Sequence, residues 1–298
     1  MNYPDTQVGT PVPVSPAFSA QYKSVLGVTT GPKSSWEKTG CIGKTDWALT
    51  YDDGPSPNTP MVLAELAKHN YKSTFFVVGS QVKKYPEILL QAYQAGMEIG
   101  VHTWTHPFLT HLTNEQIVSE IMYTFHIIKD VLGIDCRYVR APYGDTNDRV
   151  RGVIQALGFV LIRWNRDTDD ALTNGKSVVA KFDAFMNQTV FGTISLEHDL
   201  NLSTAQQTPY GMNKLAKSPY TERTISQCTG EAAYGRKEPF PSNTSLSQTT
   251  VSAQTAIQTS ASSIPSTISS LPRVSTTKSA DKRMQYPLFG LAILLFTI

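Results

Sequence analysis

The sequence predicts an α/β fold of parallel strands joined by helical crossovers, a (β/α) barrel with an open doubly wound sheet as the alternative. Three observations carry this. Short apolar runs rich in β-branched and aromatic residues alternate with amphipathic stretches from about residue 41 to residue 234. The alternation repeats through six or seven units. Polar, titratable residues gather just past several of the predicted strands, which is where a barrel carries its active site.

Strands are predicted at 47–51, 73–78, 97–102, 138–140, 159–164 and 193–198, and helices at 60–69, 82–95, 113–132, 147–157 and 176–188. The helix at 113–132 carries the strongest signal. Thr113 and Gln116 form a capping-box pattern, and Ile117, Ile121, Phe125, Ile128 and Leu132 then recur at three- and four-residue steps along one face. Residues 1–40, rich in Pro, Gly, Ser and Thr, read as an irregular lead-in to a domain spanning 41–234. Residues 235–283 read as a disordered, O-glycosylated stalk, since about half of the residues from 241 to 280 are Ser or Thr. Residues 284–298 form a hydrophobic tail whose apolar run of about 12 residues is too short to span a ~30 Å hydrocarbon core. Small residues, a short spacer and that tail match a GPI-attachment signal, with Ser275, Thr277 and Ser279 as candidate sites; a fraying hydrophobic terminus is the alternative.

The 298 residues carry a net charge of +2, which gives nucleic acid no electrostatic attraction. Cys41 and Cys228 lie near the two ends of the predicted domain, and a bridge between them would staple it, by roughly 4–5 kcal/mol in the chain-entropy model. Cys136 would be left over; three unrelated buried thiols is the other reading. Sequons at Asn187, Asn201 and Asn243 agree with a secretory route. The opening Met1-Asn2-Tyr3-Pro4-Asp5 shows no basic or apolar leader, which leaves a cytoplasmic chain or a start upstream of Met1.

Five segments concentrate the chemistry. Thr50-Tyr51-Asp52-Asp53-Gly54-Pro55 ends a strand with adjacent carboxylates that project differently, so that one can bind a metal while the other stays free; an Asx-turn is the bland alternative. His102-Thr103-Trp104-Thr105-His106 places two imidazoles four residues apart, a spacing that lets both meet one metal; with a carboxylate they make a set found in catalytic zinc sites. Arg140-Ala141-Pro142-Tyr143-Gly144-Asp145 offers an arginine able to orient a carboxylate. Asp167-Thr168-Asp169-Asp170 is an acidic turn, and His198 closes the last predicted strand. Their convergence past strand ends argues for a site where each alone would not.

In this order and spacing the five segments resemble the motifs of the polysaccharide deacetylases, the NodB-like domains of carbohydrate esterase family 4, from Asp46 to about Leu200. Residues 50–60, 74–79, 100–110 and 194–200 look like fungal chitin deacetylases. The resemblance implies a distorted, NodB-like (β/α) barrel of seven or eight units. It implies Asp53, His102 and His106 as ligands of a divalent metal, zinc or alternatively cobalt; Asp52 as general base, oriented by Arg140; the Tyr143 N–H as an oxyanion donor; and His198 as general acid, held by Asp170. Tyr143, Leu196 and Trp104 would line the substrate pocket, with Leu196 against the acetyl methyl. The implied activity is removal of N-acetyl groups from chitin by a monomer, secreted or held at the cell surface by a GPI lipid. Another acetylated glycan, such as peptidoglycan or acetylxylan, and a non-catalytic wall-anchored glycan-binding protein are the rivals. One departure stands out: the family has Trp after the acid that orients the histidine, and here Ala171 follows Asp170, unless Asp169 is the equivalent. His111 reads as a surface residue, and His69 and His126 as structural ones on helices.

Overall fold

The computed structural model describes residues 1–30, 37–188 and 192–236, all within the compact unit Met1–Asn243. The expected stalk beyond residue 236, the apolar tail and the sequon at Asn243 lie outside the described residues.

Nine strands form one sheet among the described residues: β1 (Glu37–Lys38), β2 (Asp46–Asp52), β3 (Thr74–Val77), β4 (Glu98–Val101), β5 (Tyr138–Val139), β6 (Val160–Ile162), β7 (Arg166–Asp167), β8 (Thr193–His198) and β9 (Thr221–Arg223). The order is β1-β6-β5-β4-β3-β2-β8-β7, with β9 also on β2, and every named pair is parallel. The end strands β1 and β7 are not paired to each other, so the distorted barrel is a curled parallel sheet rather than a closed ring.

The helices are α1 (Pro16–Gln21), α2 (Lys23–Leu26), α3 (Thr59–His69), α4 (Gly79–Lys84), α5 (Pro86–Gln94), α6 (Asn114–Leu132), α7 (Asp148–Ala156), α8 (Asp170–Thr173), α9 (Val178–Met186), α10 (Leu202–Ala205), α11 (Thr208–Ala216) and α12 (Ile225–Thr229). The α6 capping box forms as expected: the Thr113 hydroxyl accepts from Gln116 N and the Gln116 side chain accepts from Thr113 N, while Gly133 closes the helix at φ 72°. The single helix expected over 82–95 is two, because Pro86 has no N–H to continue the first and instead opens the second.

The lead-in, expected to be irregular, carries α1, α2 and β1. Ser15 caps α1, Pro16 occupies its first position, and buried Phe18 packs edge-on to Tyr123 and flat on His126 of α6. Residues 1–30 therefore belong to the fold.

Strand alternation divides the core in two. Trp47, Leu49 and Tyr51 of β2 join Phe75, Ile99 and the α6 stripe in the large cluster beneath the helices. Ala48, Phe76, Tyr138, Val160, Ile162 and Ile194 form a smaller cluster, to which α12 adds Ile225 and Cys228. Cys228 is disulfide-bonded to Cys41, 187 positions away, and Cys136 is free and buried. Among the described residues no helix is long and apolar enough to cross a membrane.

Candidate active site

The face of β2 that carries Ala48 continues upward with Thr50 and Asp52, and β8 matches it with Ile194, Leu196 and His198. In the parallel register Thr50 pairs with Leu196 and Asp52 with His198, so the two strand ends deliver a carboxylate and an imidazole side by side. Arg140, just past β5, is fully buried beside them. Its Nη1 donates to Asp52 Oδ1 at 2.8 Å and to Thr50 Oγ1 at 2.6 Å, its Nη2 reaches Arg163 O at 3.3 Å, and the guanidinium lies 4.1 Å from the Phe76 ring. Five donors in a rigid plane let Arg140 fix Asp52 where a lysine could not.

Past β2 the chain turns sharply. Asp53 is left-handed at φ 77°, and the Gly54–Pro55 bond is cis. A side chain at Gly54 would run into the Asp199 carboxylate, 2.5 Å from where its Cβ would sit. The turn swings Asp53 away from Asp52 and toward the loop after β4, where Thr103 and His106 are also left-handed, at φ 65° and 59°. Asp53 Oδ1 then lies 3.4 Å from His102 Nε2 and 3.2 Å from His106 Nε2.

These three residues fit a divalent cation. The Asp53 oxygen is buried with no hydrogen-bond partner, and the three ligand atoms lie within 4.8 Å of one another. Tetrahedral ligands at about 2.1 Å from an ion stand about 3.4 Å apart, close to the spacings seen. His102 Nδ1 donates to Arg140 O at 2.9 Å, which leaves Nε2 with its lone pair toward Asp53. Burial, with the neighbouring His102, pulls His106 down to about 4, so its imidazole is neutral at neutral pH. Burial acts to raise the Asp53 carboxyl, but the three surrounding histidines outweigh it and hold it well below the usual range.

Across the site, Asp170 Oδ1 accepts from His198 Nδ1 at 2.7 Å and its Oδ2 accepts from His198 N at 2.8 Å. Burial lowers the His198 imidazole, yet the Asp170 hydrogen bond and charge, with Asp53 and Asp52 behind, raise it to about 10. Asp169 points elsewhere, to Lys181 at 2.5 Å, so Asp170 is the acid that holds the histidine. Ala171 therefore occupies the next position and offers the site no ring.

A pocket of about 330 Å³ opens over these groups, lined by Asp52, Asp53, His102, His106, Tyr143, Trp164, Ala171, Leu172, Leu196 and His198 among others. Tyr143, left-handed at φ 59° and more than half exposed, stacks on Phe108 at 4.1 Å and meets His106 edge-on at 4.5 Å.

Trp104 does not line this pocket. It is fully buried on the other side of the histidine loop, stacked on Tyr3 at 5.6 Å, with its Nε1–H donated to Thr6 O. The chain at Thr103 turns left-handed, so the residue between the two histidines faces the core. Trp164 lines the pocket instead, with Nε1 on Asp167 Oδ2 at 3.1 Å and the Arg140 guanidinium 5.5 Å from its ring. Sequence reasoning placed it only at a strand end; its position three residues before Asp167 was the available signal. His111 is exposed, His69 contacts Glu65 and stacks on Tyr71, and His126 packs within α6, as expected.

A model of the family described as polysaccharide deacetylase matches residues 39–162. Chitin deacetylase 1 of Cryptococcus neoformans is 37% identical over 66% of this chain and 48% of its own length. The chain spans about half the length of the curated relatives it matches. The structure is similar to the peptidoglycan deacetylase PdaC from Bacillus subtilis, with a TM-score of 0.56 and 36% identity over 62% of this chain and 90% of that one. It is also similar to the chitin deacetylase of Colletotrichum lindemuthianum, with a TM-score of 0.63 and 26% identity over 71% of this chain and 98% of that one.

Proposed function

The chain belongs to the polysaccharide deacetylase family, and from that premise we propose that it is a metal-dependent hydrolase that removes N-acetyl groups from chitin or its oligomers. The observation that carries the reading is the grouping of Asp53, His102 and His106 in one pocket with the Asp52–Arg140 and His198–Asp170 pairs. A divalent ion held by those three residues, zinc or cobalt by its donor set, supplies Lewis acidity toward an amide carbonyl and lowers the pKa of water.

The chain's own groups divide the remaining work. Asp52 has one oxygen tied to Arg140, which leaves Oδ2 to accept the proton of the attacking water. The Tyr143 N–H donates to the oxyanion as the carbonyl becomes tetrahedral. A free amine anion is far too basic to leave, so His198 gives its Nε2 proton to the nitrogen as the C–N bond breaks. Its other nitrogen stays bound to Asp170, which keeps the ring in position. Leu196 offers the acetyl methyl an apolar wall. The products are acetate and a glucosamine unit within the polymer.

Chitin is the substrate favoured by the Cryptococcus relative and by residues 50–60 and 194–200. The likeness to PdaC supports peptidoglycan as the second reading. The disulfide fits an oxidising compartment, which agrees with a secreted or cell-surface protein. The test is metal content measured beside acetate release from chitin oligomers and from peptidoglycan. His106→Ala should lose bound metal and acetate release together; full activity in a metal-free His106→Ala protein would remove the proposal. Acetate from peptidoglycan alone would replace the substrate and keep the chemistry.

A further inference from the structure

The loop that carries His102 and His106 is held in a conformation its sequence does not favour. Thr103 and His106 are both left-handed, and neither is glycine. The surroundings must impose that shape, and the hydrogen bonds show how. Glu120 of α6 is fully buried, and its carboxylate accepts four of them. Oε2 takes Trp104 N at 2.7 Å and Thr105 N at 2.8 Å. Oε1 takes Thr105 Oγ1 at 2.5 Å and Val12 N at 2.9 Å. Three of the four donors belong to the stretch between the two histidines. The fourth ties the N-terminal segment to the same carboxylate, and Gly9 N adds a bond to Thr105 O at 3.0 Å. From the opposite side, Gly79 N and Ser80 N at the start of α4 donate to Thr103 O and Trp104 O.

We infer that Glu120 is a positioning residue for the metal ligands: it sets the place of His106 relative to His102 and joins residues 9–12 to the same loop. It touches neither substrate nor ion. The inference rests on the reading of Asp53, His102 and His106 as a cation site. Both oxygens of Glu120 act only as acceptors. A glutamine keeps one acceptor oxygen, and its NH₂ can donate to the Thr105 hydroxyl but cannot meet an N–H, so at least one of the three backbone N–H bonds is lost, and two where the NH₂ takes the Oε2 place.

The test is cobalt(II) binding to the metal-stripped full chain, followed by visible absorption, beside thermal unfolding of the same samples. Glu120→Gln should weaken cobalt at least tenfold, the scale on which outer partners of metal ligands act. Glu98→Gln is the control. Glu98 is a second buried carboxylate, at the far end of β4 from His102, where it accepts from Thr74 Oγ1 and Ser226 N. That variant should lower the unfolding temperature while leaving cobalt affinity within about twofold. Should Glu120→Gln fail to fold, Thr105→Val decides: it removes one bond to Glu120 at nearly constant volume and should weaken cobalt a few-fold. Unchanged cobalt affinity in the folded Glu120 variant, or in Thr105→Val where that decides, overturns the inference, and so does an equal loss in Glu98→Gln. A wild-type chain that takes up no cobalt overturns the cation site itself, and the inference with it.

Discussion

The ion pair at the heart of the site can be measured apart from catalysis. Arg140 is fully buried, and Asp52 Oδ1 lies 2.8 Å from its Nη1 with the carboxylate almost wholly enclosed. Removing one partner of such a pair leaves the other as an uncompensated buried charge, at a cost of about 3–5 kcal/mol. Arg140→Met keeps an apolar stem between Phe76 and Trp164 and abandons Asp52. Asp52→Asn keeps the shape and abandons the guanidinium. Once either charge is gone, the second substitution relieves the orphan it left, so the double variant should be less damaged than the sum by about 2–3 kcal/mol. Urea unfolding of the metal-free proteins reads this directly, because a bound ion would add its own linkage to stability. With a slope of about 2–3 kcal/mol/M for a domain of this size, each single variant should unfold more than ~1 M earlier than the parent. Acetate release supplies the second arm: Asp52→Asn should lower kcat by about 10²–10⁴, as loss of a general base does. Costs that add to within ~0.5 kcal/mol would show that the two groups do not act as a pair, and the assignment of Arg140 as the residue that orients Asp52 would fail.

Two pH experiments follow from the same structure. His198 is raised to about 10 against burial by Asp170, and in the proposed role of general acid it would work only when protonated, so activity should fall as pH rises through that value. Asp170→Asn removes the charge; the alkaline limb should move down toward the ordinary imidazole range near 6.5, and a limb that stays in place would mean that another group donates the proton. His126 is brought down to about 4 by burial and by the charge of Arg236, with Nε2 buried and without a hydrogen-bond partner. Its folded pKa lies below the unfolded one, so the unfolded chain takes up the proton first and stability is lost as pH falls from about 6.5 through 4. His126→Phe should flatten that part of the urea-midpoint profile, and an unchanged acid slope would assign it to other groups.

What the sequence showed and what it hid divide along a physical line. The six expected strands and the helices between them were legible because each lies in an apolar run that the fold buries, down to β5 and β6, which have only two and three residues but are buried throughout. Strands β1, β7 and β9 are as short but only partly buried or exposed, so no apolar run marks them, and they exist because neighbouring strands offer them hydrogen bonds. The polar groups at the strand ends were legible for the converse reason: titratable residues beside apolar runs have little packing to do and so announce chemistry. Trp104 misled because spacing alone carries no direction. Lying between two site residues, it could face the pocket or the core, and the left-handed turn at Thr103 decided for the core. Glu120 was hidden in plain view. It stands in the stripe Ile117, Ile121, Thr124, Ile128, three residues past Ile117 and four before Thr124, so the helical period itself puts an acid on the buried face. A charge there is tolerated only if donors meet it, and the helix cannot supply them, since its own N–H groups are already committed. The donors had to come from another segment, one with free backbone N–H groups and no regular structure of its own, and the loop between two metal-spaced histidines is such a segment.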